Sequence, residues 1–161
     1  MRRALLGLLA VALTAPLALF AQAGRPAVSC DPGNGGLTLE AGFCAMVVAE
    51  SVGQARHLVV SPAGDVYVAI RSQADAPGGI VALRDTNGDG RADVRERFAE
   101  SGGTGIAIFN GHLYLSRDEA VVRFPLKAGQ LLPAGPMEIV VSGFPQQRVS
   151  VRQAGFQPFG Q

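Results

Sequence analysis

An all-β fold is what this sequence predicts, on three observations. The chain has 21 glycines, 10 prolines and no tryptophan in 161 residues, and valine is prominent among its apolar residues. That composition suits short strands joined by tight turns better than helices. Beyond residue 44 the apolar residues alternate in short runs bounded by Gly, Pro, Asn and Asp, and helical periodicity is absent. The runs also recur, one set of four followed by a second set of four.

The first residues read as an address. Arg2 and Arg3 give a positive start, residues 4–20 are uncharged, and Ala21-Gln22-Ala23 is the small-x-small pattern that signal peptidase accepts. The apolar run is at the lower limit for a membrane span, and Pro16 interrupts it. Residues 1–23 are therefore expected to be a cleaved signal peptide, leaving a periplasmic or secreted protein with no stable membrane span. Taking Arg2 and Arg3 from the 14 basic residues leaves the remainder near neutral against 13 acidic ones. Such a balance gives no reason to expect a nucleic-acid partner.

Residues 24–41 form an N-terminal segment that carries Cys30, and Cys44 follows it. Two cysteines in an oxidising compartment most simply make one disulfide. Closing a loop of about 15 residues stabilises by roughly 3 kcal/mol on chain-entropy reasoning. No second cysteine or histidine pair accompanies them, so the spacing is not a zinc pattern.

The strands follow in order. Residues 57–61 (HLVVS) turn through Pro-Ala-Gly-Asp into residues 66–70 (VYVAI), then come residues 80–83 (IVAL) and 94–98 (VRERF). The second set is residues 105–109 (GIAIF), an Asn110-Gly111 turn, then residues 112–116 (HLYLS), 120–124 (AVVRF) and 138–141 (EIVV). The second strands superpose with Tyr67 on Tyr114, an offset of 47 residues. A four-strand unit recurring roughly every 40–50 residues marks a β-propeller blade. The expected domain is an incomplete β-propeller over residues 42–148, with blades at about 55–99 and 104–143. An ordinary antiparallel sandwich is the competing architecture. Residues 43–49 (FCAMVVA) resemble the fourth strands, and in a closed ring such a strand completes the last blade.

Between the third and fourth strands, residues 85–96 fit the calcium-loop pattern D-x-[DN]-x-[DN]-G-x5-E at every specified position. Asp85, Asn87 and Asp89 offer side-chain oxygens from alternate positions of a tight curve. Arg91 would give its carbonyl, Asp93 a direct or water-mediated oxygen and Glu96 a bidentate carboxylate. The loop joins strands instead of helices, so Glu96 can be drawn away along its strand. An acidic hairpin turn built on Asn-Gly and Asp-Gly is the alternative. In a blade the turns after the first and third strands share one face. The opposite face, where propeller active sites gather, would be lined by residues 54–57, 71–79, 101–104 and 117–118.

With these features in order, the chain resembles the sorbosone dehydrogenase family, pyrroloquinoline-quinone-dependent sugar dehydrogenases related to the six-bladed soluble quinoprotein glucose dehydrogenase. The stretches that carry the resemblance are GLTLEAGFCAMVVAE, ARHLVVSPAGDVYVAIR, GGIVALRDTNGDGRADV, GGTGIAIFNGHLYLS and VVRFPL with IVVSGFP, over about residues 37–145. It implies a periplasmic oxidoreductase acting on a carbonyl sugar, with the quinone PQQ and Ca2+ as cofactors and an electron acceptor such as a cytochrome. A histidine takes the substrate proton while hydride passes to the quinone. The cofactor face would include Arg71, Gly103, Thr104 and Arg117. No catalytic residue is assigned, because the stretch after Pro145 lacks the family's histidine, and His57 and His112 both read as solvated strand-end residues. Residues 149–161 lose the family pattern, which reads as a frameshifted or truncated frame. The expected function is thus the N-terminal part of a quinoprotein sugar dehydrogenase, inactive alone. The alternative is a non-catalytic, calcium-stabilised propeller module that binds a partner.

Overall fold

The computed structural model describes residues 28–145, so the expected signal peptide and the tail from residue 146 lie outside the described residues. Within them, eight strands form two four-stranded antiparallel sheets. Sheet A holds β1 (Ala55–Val60), β2 (Val66–Ile70), β3 (Gly79–Arg84) and β4 (Val94–Phe98) in chain order. Sheet B repeats that order with β5 (Gly105–Phe109), β6 (His112–Ser116), β7 (Ala120–Pro125) and β8 (Glu138–Ser142). Among the described residues the only helical element is a 3-10 turn over Pro32–Gly36, and no helix is long and apolar enough to cross a membrane.

Local chemistry sets the hairpins. Asn110 and Gly111 both adopt positive φ, 45° and 72°, so a two-residue turn joins β5 to β6 with Phe109 opposite His112. Such primed turns match the right-handed twist of the strands they join. The first hairpin uses a longer turn, closed by the Ser61 N–H donating to the Asp65 carbonyl at 2.8 Å.

The two sheets pack face to face. Tyr67, Ala69, Ile80 and Ala82 of sheet A meet Leu113, Leu115, Val122 and Phe124 of sheet B, all buried. Phe98 bridges the layers, its ring edge-on to Tyr67 at 6.4 Å and to Phe124 at 5.3 Å. At one end Leu131 closes the core, its carbonyl accepting the Tyr67 hydroxyl at 3.0 Å. That bond answers the hydroxyl of a side chain only 1 % exposed, which would otherwise lie unsatisfied. Beside it, Asp65, only 4 % exposed, takes two hydrogen bonds from the Arg84 guanidinium at 2.6 and 2.8 Å.

Residues 43–49, expected as a strand, form none. They lie within an N-terminal lobe, residues 28–52, from which Ala49 and Val52 cover Val68, Ile70, Val81 and Leu83 on the far face of sheet A. Arginine donors hold this segment in place of a ladder. Arg91 donates to the Val47 carbonyl, Arg95 to that of Glu50 and Arg97 to that of Val52. A strand needs a run of such bonds to one neighbour, whereas this segment's carbonyls take isolated backbone N–H groups from two places, Asp31 to Ala45 and Ala92 to Val48, at 2.9 Å each. The lobe is closed by a disulfide between Cys30 and Cys44, with Cα atoms 5.7 Å apart.

Candidate functional site

The four residues expected on a cofactor face all sit at one end of the sheets. Arg71 directly follows β2 and its N–H donates to the Gln54 carbonyl at 2.9 Å. Gly103 and Thr104 precede β5, and the Thr104 N–H donates to the Ser116 carbonyl at 3.0 Å. Arg117 follows β6, its N–H donating to the Ala120 carbonyl at 2.8 Å. Backbone hydrogen bonds therefore fix all but one of these positions, and Gly103 is fixed by close approach. A Cβ there would run into the Ser116 carbonyl and the Leu115 side chain, so the chain can pass between the sheets at this point only without a side chain.

Arg117 is the half-buried member of the group, and it separates two clefts. One, of about 380 Å³, lies between the sheets and is lined by Glu100, Ser101, Leu115, Arg117, Phe124 and Met137. The other, of about 500 Å³, includes Ser72, Gly102, Arg117, Asp118 and Ser142. The Arg117 guanidinium reaches the Met137 sulfur at 3.9 Å. Arg71 and Thr104 are exposed at the same end. Two cations and a hydroxyl facing solvent suit an anionic, hydrogen-bonding ligand.

His57, read from the sequence as merely solvated, has a specific place here. Its Nδ1 lies 2.7 Å from the Thr104 carbonyl. A carbonyl only accepts, so Nδ1 carries the proton and ties β1 to the start of β5. Spacing gave no signal for this bond, which spans 47 residues. His112 is at the opposite end, bonded through Nδ1 to the Asn110 carbonyl at 2.9 Å.

The acidic loop follows β3 at that opposite end. Asp85 accepts the N–H groups of Asn87, Gly88 and Gly90 at 3.1, 2.6 and 2.7 Å. Those bonds, led by Gly88, hold its carboxyl below the usual aspartate range. Asp93 accepts the Thr86 N–H and hydroxyl, both at 2.7 Å, and the Asn87 amide at 3.1 Å. Its carboxyl is likewise lowered, chiefly by the Thr86 N–H. Asn87 and Asp89 accept the amides two residues on, at 2.8 Å each. Glu96 stands on β4 opposite Ala82, and the Arg91 side chain turns away to Asp31 and Val47. The donors brought into one turn are thus hard oxygens of Asp85, Asn87, Asp89 and Asp93, chemically suited to a hard cation. Among the described residues no three His, Cys, Asp or Glu side chains converge as a metal-binding group.

The chain matches no known family model, no curated protein and no solved structure.

Proposed function

We propose that the chain supplies two blades of a β-propeller belonging to a periplasmic, quinone-dependent sugar dehydrogenase of the sorbosone and glucose type. The observation that carries the reading is the repeat itself. Two four-stranded meanders of the same order pack face to face with their first strands, β1 and β5, side by side. Equivalent positions can be read through the registers. Tyr67 pairs Val59 and Ala82, while Tyr114 pairs Ala107 and Arg123. The face that sheet A turns to sheet B is therefore repeated on the outer face of sheet B, as successive blades require. The lobe on the far side of sheet A lies where a neighbouring blade would.

Arg71, Thr104 and Arg117 would hold the anionic quinone, with Gly103 shaping the passage beside them. The quinone, when bound, supplies the hydride acceptor. Asp85, Asn87, Asp89, the Arg91 carbonyl and Asp93 would hold calcium at the opposite end, with Glu96 reaching it only from its place on β4, and it would stiffen the turn without touching substrate. A sugar is the expected substrate and a cytochrome the expected electron acceptor.

One observation favours the second reading, a non-catalytic binding module. His57, the histidine at the Arg117 end among the described residues, lines neither of the clefts beside Arg117. Titrating the chain with PQQ and following the quinone absorbance separates the readings. Saturable binding, weakened at least tenfold by both Arg71→Ala and Arg117→Ala, is expected. A folded chain that shows no saturable binding would sink the dehydrogenase reading and leave the binding module.

A further inference from the structure

We infer that the Cys30–Cys44 disulfide is a redox-responsive clamp, reachable by a dithiol reductant, whose state sets the order of the 85–93 loop through Asp31 and Arg91. The inference stands whether or not the loop takes calcium. Both half-cystines are exposed, so a thiolate can reach either sulfur. Exposed disulfides are the ones that exchange readily. One reductant thiolate displaces a protein sulfur, which leaves as thiolate and takes a proton. The second reductant thiol then resolves the mixed disulfide. The protein gains two thiols, and the reductant leaves as its own disulfide.

What the bond clamps is visible residue by residue. Asp31 follows Cys30 directly and is the joint of the lobe. Its N–H donates to the Ala45 carbonyl at 2.9 Å, and its Oδ2 accepts the Val47 N–H at 2.6 Å. Asn34 adds a side-chain bond to the Ala45 N–H at 3.2 Å. These contacts tie residues 31–34 to 45–47, the two stretches that the disulfide also joins. The other carboxylate oxygen of Asp31 takes the Arg91 guanidinium.

The lobe then grips the loop at its second half. Arg91 also donates to the Val47 carbonyl at 3.1 Å, and the Ala92 N–H donates to the Val48 carbonyl at 2.9 Å. The Met46 methyl lies over Gly90, 2.5 Å from where a Cβ would stand. Asp85 and Asp93 close the first half of the loop without help from the lobe. Opening the disulfide should therefore loosen Arg91 and its neighbours while the strands keep their places.

Trypsin reads this directly, since cleavage after Arg91 needs the guanidinium that Asp31 and Val47 now occupy. The chain is reduced with dithiothreitol, alkylated, freed of reductant and digested briefly, and its fragments are weighed. Cleavage after Arg91 is expected to rise at least tenfold over the oxidised chain, with cleavage after Lys127, in the loop between β7 and β8, unchanged. A reduced sample reoxidised in air instead should return to the starting rate. Asp31→Ala, with its disulfide intact, should raise the Arg91 cut on its own. Unchanged cleavage after Arg91 on reduction overturns the clamp, and so does an equal rise after Lys127, which would mean that the whole fold opens. An Asp31→Ala chain that cuts like the parent overturns the route through Asp31.

Discussion

Sheets A and B share an order and a pair of equivalent tyrosines, yet they are buried differently. The middle strands of sheet A are buried almost without a break, through Tyr67 to Ile70 on β2 and Gly79 to Leu83 on β3. Those of sheet B alternate, with Leu113 and Leu115 buried on β6 and Val122 and Phe124 on β7, and half-exposed residues between them. The difference is written in the side chains. VYVAI and GIVALR are continuous apolar runs, the pattern of a strand covered on both faces. HLYLS and AVVRFP interpose His112, Tyr114, Ser116 and Arg123. Sheet A is enclosed by sheet B and the N-terminal lobe, whereas among the described residues sheet B is covered on one face. A repeated topology does not impose a repeated environment.

Substitutions at matched positions can break that contrast or sharpen it. The largest effect is expected at the interface both sheets share. Ile80→Ala removes a fully buried side chain between the layers and should cost about 2–5 kcal/mol in denaturant unfolding. Next come the two outer faces. Val81→Ala, under the lobe, should cost roughly 1–3 kcal/mol, and Val121→Ala on the outer face of sheet B less than about 1 kcal/mol. Equal losses would show that the lobe does not enclose sheet A in solution.

A smaller effect separates the strand entries. Asp65 on sheet A faces Arg84, while the matched pair on sheet B is His112 with Pro125, which holds no charge pair. Asp65→Ala takes the carboxylate from a partly exposed guanidinium that keeps only the Gly129 carbonyl, and should cost about 1–3 kcal/mol, against nearly nothing for His112→Ala. Smallest is the Arg123–Glu138 pair on sheet B, with both side chains more than a third exposed. Glu138→Gln should leave the unfolding midpoint almost where it is, and any difference should vanish in 1 M salt.

Acid titration tests the loop that only sheet A carries. Asp85 and Asp93 have folded pKa values below the ordinary 3.8. Their contribution is therefore full above that value and is lost as pH falls through the lower folded values. The Gly88 and Gly90 amide resonances should titrate with a midpoint below 3.8. A midpoint above that value would contradict the hydrogen bonds described for Asp85.

Local features were the legible ones. The alternation of HLYLS, the Asn110-Gly111 turn and the repeated fours depend on neighbours in sequence, and the two sheets follow from them. The disulfide was legible by count. The spacing of Asp85, Asn87, Asp89 and Asp93 was legible too, but not where their oxygens turn, because each answers an amide of its own loop. Residues 43–49 read as a strand from composition alone, whereas a strand also needs a partner with free donors and acceptors. The links between distant segments left no periodic trace. Tyr67 meets the Leu131 carbonyl across 64 residues and Arg91 meets Asp31 across 60. At the Arg117 end, exposed polarity named the residues, but the clefts beside them arise from the way the two sheets pack.

The arginine grip on the lobe has a consequence for how this sequence can change. Arg91, Arg95 and Arg97 hold carbonyl oxygens, which every residue has. Val47 and Glu50 could be exchanged for other residues without withdrawing the oxygens that are held. Part of what positions the lobe is thus stored in the loop and strand that grip it, and drift should be tolerated at Val47 and Glu50 while Arg91, Arg95 and Arg97 stay basic.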